Sequence, residues 1–231
     1  SGESGSGTIF FSNCNMSCEY CQNYEISQKG KGYEVTIQEL AKIMIEQQEK
    51  GDLNINLVTT TMYAIQIIEA IKKISELIGI DNIYVRYDPI FISEKYNINY
   101  HIKSFDNLCN LLNGYVKSII VSFIDDYKNV RKNNNILKLK PFTENDYKTI
   151  GEHFSKSASK NGMTVQTCFE DRNLAEYGFK KRDCISHELA YKLTGKTNFK
   201  SYNIRKGNKC KCVSMVDSGA YNTCMHFCKY C

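Results

Sequence analysis

Apolar positions along this chain switch period repeatedly, from every second residue to every third or fourth and back. Thr8 to Phe11 is a short apolar run of strand length that leads straight into a cysteine loop. Thr36-Ile-Gln-Glu39 has the form of a capping box, in which a hydroxyl and a carboxylate satisfy the first N–H groups of a helix. Ile37, Leu40, Ala41, Met44 and Ile45 follow at helical spacing, and Gly51 ends the helix. Leu53 to Val58 alternates apolar and polar residues, then stops at Thr59-Thr60-Thr61. A second helix is predicted from about Tyr63 to Ile78, with Ile67, Ile68, Ile71, Ile74 and Leu77 on one side.

The order then repeats. Ile83 to Tyr87 reads as a strand ending at Asp88-Pro89, followed by a helix from about Tyr100 to Leu112. Val116 to Phe123 is the most apolar strand and ends at Asp125-Asp126. Thr143-Glu-Asn-Asp146 opens a helix that reaches about Lys160, and Met163 to Phe169 is a strand ending at Glu170-Asp171. Short helices follow near Leu174 to Tyr177 and His187 to Leu193, and from Thr194 onward the chain is largely irregular. Strands alternating with helices imply an α/β fold with a parallel sheet and right-handed crossovers. Five strands are too few for a closed eight-stranded barrel, so the pattern predicts a curved, partial (βα) barrel with an irregular Cys-rich C-terminal tail. Reactive groups in such folds collect at the carboxyl ends of the strands. The Cys14 loop, Thr59 to Thr61, Arg86 to Asp88, Asp125 and Glu170 are expected on that rim.

Composition narrows the class. The chain has 231 residues, a hydrophobic fraction of 42% and a formal net charge of +5. No apolar run approaches membrane-spanning length, so no transmembrane helix is expected. There is no initiator Met and no secretion signal, and residues 1–7 read as a flexible lead-in or a cut edge. Lysines are scattered, with groups over 128–140 and 196–211 that read as solvated faces, so nucleic acid is not an expected partner. The eleven cysteines, without a secretion signal, argue for metal or redox chemistry in a cytoplasmic protein rather than for disulfides.

The cysteines carry the sharpest signal. Cys14, Cys18 and Cys21 form a C-x3-C-x2-C motif directly after the first strand, and Cys224, Cys228 and Cys231 repeat it at the end of the sequence. Three thiolates at that spacing suit three corners of an iron–sulfur cluster and leave one iron open. A zinc site or buried thiols is the alternative, although zinc usually takes four ligands and no partner pair or nearby His accompanies the first triad. Asn15 and Ser17 suit a tight loop whose N–H groups face cluster sulfurs.

The strand, the C-x3-C-x2-C loop with Tyr20 before its last Cys, and the repeating units behind it resemble the radical S-adenosylmethionine (SAM) superfamily. Within it, residues 5–70, with Cys18-Glu-Tyr-Cys-Gln-Asn23 and Asn54-Ile-Asn-Leu-Val-Thr59, resemble the pyruvate formate-lyase-activating-enzyme-like branch. The resemblance implies that Cys14, Cys18 and Cys21 hold a 4Fe-4S cluster whose fourth iron is chelated by SAM. Reductive cleavage of SAM would then yield a 5′-deoxyadenosyl radical that abstracts hydrogen, with Tyr20 near the adenine. It also implies an electron donor such as flavodoxin or ferredoxin, and a protein substrate in the activating-enzyme case. The superfamily often has Gly-Gly-Glu at the end of the second strand, and the branch often Thr-Pro-Thr. Here Thr59, Thr60 and Thr61 stand there, with hydroxyls that can meet SAM.

From about Ile74 the resemblance changes. Val85-Arg-Tyr-Asp-Pro-Ile90, Tyr96 to Phe105, Val121-Ser-Phe-Ile124, Thr167-Cys-Phe-Glu170 and Asp217 to Cys224 resemble an uncharacterised bacterial family whose carboxyl terminus carries a radical-SAM-like cysteine cluster. The expectation is a fusion with its seam between about Thr61 and Gly79. It divides the chain into N-terminal βα units over 1–75, continuing units over 76–195 and an iron–sulfur tail over 196–231. Cys210, Cys212, Cys224, Cys228 and Cys231 would ligate a second, auxiliary cluster, with Tyr230 matching Tyr20 and His226 as an alternative ligand. Thiols in a disordered tail or a zinc knot is the competing reading. That family usually continues past the last Cys, so a truncated tail is also expected.

Other residues are weighed one by one. Cys109 lies on the apolar face of Leu108, Leu111 and Leu112 and reads as core, whereas Cys168 and Cys184 read as core or ligand. Arg86 and Asp88 are either an ion pair bracing the barrel mouth or contacts to SAM or substrate. His101 and His153 are expected on helix surfaces. The function expected is radical SAM chemistry on an unknown substrate. A non-catalytic iron–sulfur redox protein and an inactive fusion product are the alternatives.

Overall fold

The computed structural model describes residues 6–14, 24–52, 54–58, 63–126, 128–132, 134–167, 170, 172–183, 186–201 and 212–214. The chain divides into two compact units, with the boundary between Ile78 and Gly79.

In the first unit, strand β1 (Ser6–Phe10) and a short helix α1 (Tyr24–Ser27) precede helix α2 (Ile37–Glu49), strand β2 (Asn54–Val58) and helix α3 (Ala64–Ile78). β1 and β2 pair in parallel, from Ser6 opposite Asn54 to Phe10 opposite Val58. The capping box of α2 forms as its sequence predicts: Thr36 Oγ1 accepts from Glu39 N and the Glu39 carboxylate accepts from Thr36 N at 2.7 Å. Leu40 and Ala41 of α2 and Ile67, Ala70 and Ile74 of α3 are buried. Leu77, expected on the same apolar side, is 68% exposed, because the buried stripe of α3 closes at Ile74.

The second unit is a four-stranded parallel sheet in the order β3 (Tyr84–Ile90), β4 (Ser118–Phe123), β5 (Thr164–Thr167), β6 (Lys180–Lys181). The connections carry helices α4 (Ile98–Leu112), α5 (Lys128–Lys132), α6 (Asn134–Leu137) and α7 (Glu144–Lys160), and α8 (His187–Thr194) follows β6. Asn97 caps α4, and Thr143 with Asp146 forms the capping box of α7. α4 and α7 pack on each other, and α7 packs on β5. Phe105 and Phe154 stack at the centre of that layer, with ring centroids 3.8 Å apart, and both are fully buried. Tyr87 of β3 meets both edge-on, at 5.7 and 5.8 Å. Gly151 of α7 is required by close approach: a Cβ there would lie 2.5 Å from Tyr177 Cβ.

The mixed α/β class with parallel sheets is therefore present, in two sheets among the described residues. Two expectations change. β3 does not end before Asp88-Pro89 but runs through it to Ile90. Proline is tolerated because β3 is the edge strand and because the register slips there: Tyr87 faces Val121 but Ile90 faces Phe123, so one extra residue bulges out. His101, expected on a helix surface, is 4% exposed. α1, α5, α6 and the two-residue β6 have too short an apolar pattern to be read from sequence. Residues beyond 201 are described only at 212–214, where Val213 bridges Ser201.

Phe154→Ala should cost about 3–5 kcal/mol through the cavity it leaves between Phe105 and Tyr87. Thr143→Ala should cost about 1 kcal/mol through loss of the cap. Urea unfolding of both variants checks the ranking.

Candidate functional site

The sequence places its candidate chemistry in two regions, one in each unit. In the first unit, Cys14 stands just beyond the carboxyl end of β1 and is half-buried, with its thiol outside any disulfide. The turn that presents it is pinned from several directions. Cys14 N donates to Ser27 O at 2.8 Å, Asn13 N donates to Ile26 O at 3.3 Å, and Gln28 Nε2 donates to Cys14 O at 3.2 Å. Asn13 has φ 58°, a left-handed conformation in which Asn is enriched. Its side chain fits because residue 30 is glycine: a Cβ on Gly30 would come within 2.7 Å of Asn13 Oδ1. Tyr63 braces the same turn, donating to Ser12 O at 3.1 Å and packing on Phe11. A thiolate-capable side chain on a rigid turn at the carboxyl end of a parallel strand fits one corner of an iron–sulfur cluster. Tyr20, Cys18, Cys21 and Thr59 to Thr61 lie outside the described residues.

In the second unit, alternation along the strands sorts residues between two faces. Val85 and Tyr87 lie in register with Ile119 and Val121, and these with Val165 and Thr167. Tyr87 contacts Phe105 and Phe154, so this is the face covered by α4 and α7. The other face carries Tyr84, Arg86 and Asp88 of β3, Ser118, Ile120 and Ser122 of β4, and Thr164 and Gln166 of β5. Parallel sheets are ordinarily apolar on both faces. Here this second face is polar in six of the eight positions just named, and Ser118, Ile120 and Gln166 on it are buried.

Arg86 Nε donates to Asp88 Oδ2 at 2.7 Å, and Arg86 Nη2 and Ser122 Oγ converge on the same oxygen. Asp88 can receive them because the register of Tyr87 with Val121, carried one residue on, sets it beside Ser122 before the slip that ends at Ile90. The ion pair expected of Arg86 and Asp88 is formed, with side chains 46% and 26% exposed. The hydroxyls of Ser118 and Thr164 lie 3.3 Å apart on the same face. Gln166, in the row of Arg86 and Ile120, is 2% exposed, and its Oε1 accepts no hydrogen bond. Sequence reasoning passed over Gln166, although a lone carboxamide between Val165 and Thr167 in a buried strand was the available signal. At the end of β4, Glu170 is spoken for structurally: its Oε1 accepts from Phe123 N at 2.8 Å.

On the helix side, His101 Nε2 lies 2.7 Å from the Phe91 carbonyl oxygen and Nδ1 lies 2.9 Å from the Tyr87 hydroxyl. A carbonyl only accepts, so Nε2 carries the proton and Nδ1 accepts from Tyr87. Burial lowers the His101 pKa against the raising effect of the Phe91 carbonyl. Burial likewise pushes the Tyr87 phenol up to about 12, against the Ser104 hydroxyl. Cys109 is core, as expected; burial pushes its thiol up to about 11. His153 holds Asp106 at 3.1 Å.

Cys212 is 1% exposed, beside the Val213 bridge. Cys168, Cys184, Cys210, Cys224, His226, Cys228, Tyr230 and Cys231 lie outside the described residues. Among the described residues no three His, Cys, Asp or Glu side chains gather as a metal-binding group, and no helix is long and apolar enough to cross a membrane.

Residues 34–231 match a family described as a domain of unknown function, DUF1848. The chain belongs to this family. The DUF1848 match begins in the first unit and runs through α2, β2 and α3, straight across the seam expected between about Thr61 and Gly79. Helices and strands on both sides of that seam thus fall within one family span. No curated protein matches the chain.

The neutral His101 predicts a pH dependence. Its folded-state pKa lies below the ordinary 6.5, so the unfolded chain binds the proton more readily. Stability should be full above about pH 6.5 and fall as pH drops below it. Thermal unfolding between pH 7.5 and 5 should show this loss, at roughly those values, and His101→Gln should flatten it while lowering stability at pH 7.5.

Proposed function

We propose that this protein is an iron–sulfur protein of the radical SAM type, acting on an unknown substrate. The observation that carries the reading is the Cys14 turn: a thiol held at the carboxyl end of the first strand of a parallel pair, by main-chain bonds to Ser27 and a braced Asn13. Cys18 and Cys21 share its loop in the sequence and complete a C-x3-C-x2-C set. A bound 4Fe-4S cluster with one iron open to SAM supplies the electron for reductive cleavage of SAM. The chain's part is to hold three thiolates, to keep the Cys14 end of the loop fixed, and to offer Tyr20 and the hydroxyls of Thr59, Thr60 and Thr61 to the cofactor. Its turnover would draw on an electron donor such as flavodoxin or ferredoxin.

A partial (βα) barrel is the fold reading that goes with this function. It is supported in the second unit by sequential parallel strand order and by a largely polar sheet face opposite the one that α4 and α7 cover. In a barrel that polar face is the interior, where Arg86 and Asp88 would meet SAM or substrate. Cys210, Cys212, Cys224, Cys228 and Cys231 are assigned to a second, auxiliary cluster.

Anaerobic reconstitution followed by iron and sulfide analysis, electron paramagnetic resonance with and without SAM, and assay for 5′-deoxyadenosine tests the proposal. The reduced cluster signal should change on adding SAM, and 5′-deoxyadenosine should form. Cys14→Ala and Cys18→Ala should abolish both effects, whereas Cys228→Ala should leave both in place. A cluster whose signal ignores SAM would identify an electron-transfer or redox protein instead. Failure to assemble any cluster would leave an inactive product.

A further inference from the structure

We propose that Gln28 is a positioning residue for Cys14: its carboxamide, together with the turn that follows α1, sets this ligand in place before iron arrives. The proposal rests on the reading of Cys14, Cys18 and Cys21 as a cluster-binding set.

The stretch from Ile26 to Gln28 holds Asn13 and Cys14 through three bonds. Asn13 N donates to Ile26 O at 3.3 Å, Cys14 N donates to Ser27 O at 2.8 Å, and Gln28 Nε2 donates to Cys14 O at 3.2 Å. Both main-chain groups of Cys14 are thereby paired, which leaves its thiol to meet iron. Any residue type at positions 26 and 27 supplies the carbonyls. At position 28 the bond needs a side chain that carries an N–H and reaches back to Cys14, so this contact alone depends on residue identity.

The same stretch contributes little to the core. α1 has four residues and buries only Ser27, and Tyr24 is 47% exposed. Among the described residues of α2 and α3, Leu40, Ala41, Ile67, Ala70 and Ile74 supply the buried apolar side chains. The Gln28 bond ends instead on the backbone of half-buried Cys14, and its effect falls on that residue. It fixes the carbonyl, while Asn13 holds φ 58° in the space that Gly30 leaves. Together they remove freedom that Cys14 would otherwise lose on binding, which is the general advantage of a preorganised site. Hydrogen bonds around a ligand act in this way, by setting its orientation without touching the metal.

The test uses the full chain, reconstituted anaerobically with iron and sulfide. It follows iron loss to a chelator, and thermal unfolding of the iron-free chain. The iron followed is the pool that Cys14→Ala fails to bind. Gln28→Met, which keeps the length and removes the donor, should lose that iron about three- to tenfold faster than wild type. Its iron-free unfolding temperature should stay at the wild-type value. Gln28→Lys, which restores an N–H of sufficient reach, should return the rate toward wild type. The proposal is overturned if Gln28→Met holds iron as wild type does, if it unfolds at a lower temperature without iron, or if Gln28→Lys loses iron as fast as Gln28→Met. Those three outcomes leave the cluster reading standing. A wild-type chain that binds no iron through Cys14 overturns that reading and this proposal together.

Discussion

Parallel pairing of β3, β4 and β5 sets the terms for the second unit, because register fixes which residues share a face and which of them lie under α4 and α7. Val85, Tyr87, Ile119, Val121 and Val165 fall together under α4 and α7. The same alternation forces Arg86, Asp88, Ser122, Thr164 and Gln166 together on the other side. A slip of one residue would bury Arg86 under the helices and expose Tyr87, so the apolar rows hold the polar rows in place. The slip between Tyr87 and Ile90 is the local exception, and the Asp88 carboxylate still accepts from Ser122 there.

His101 tightens the helix side by a different means. It has no charged partner and is neutral, with each ring nitrogen satisfied by a group from the β3 edge: the Tyr87 hydroxyl and the Phe91 carbonyl. Tyr87, Phe91 and Tyr100 surround it edge-on, and Tyr96 packs edge-on against Phe91 and Tyr100. A polar group in such a cage specifies one arrangement of α4 on β3, since any shift leaves a buried nitrogen without its partner.

Elements with strong local patterns were legible in the sequence. The capping boxes at Thr36 and Thr143, the apolar strand before Asp125 and the alternation of strands with helices each rest on interactions within a few residues. What was not legible depended on distant partners. His101 looks like a surface residue until Tyr87 and Phe91 close over it. Asp88-Pro89 looks like a strand end until β3 proves to be an edge strand, where a missing N–H costs no ladder bond. Gln166 looks like an ordinary polar position until both neighbouring strands are in place. The cysteine motif is legible as a spacing that names Cys14, Cys18 and Cys21, and the fold describes its Cys14 end.

The two faces of the β3–β5 sheet also divide the energetic tasks. The fully buried, stacked Phe105 and Phe154 are the kind of aromatic pair whose members each contribute several kcal/mol, and the part-buried Tyr87 meets both edge-on. The exposed Arg86–Asp88 pair contributes little to folding, about 0–1 kcal/mol, and an orphaned Gln166 opposes it by roughly 1–3 kcal/mol. The fold therefore stands on its helix side and can carry an unfavourable group on the other.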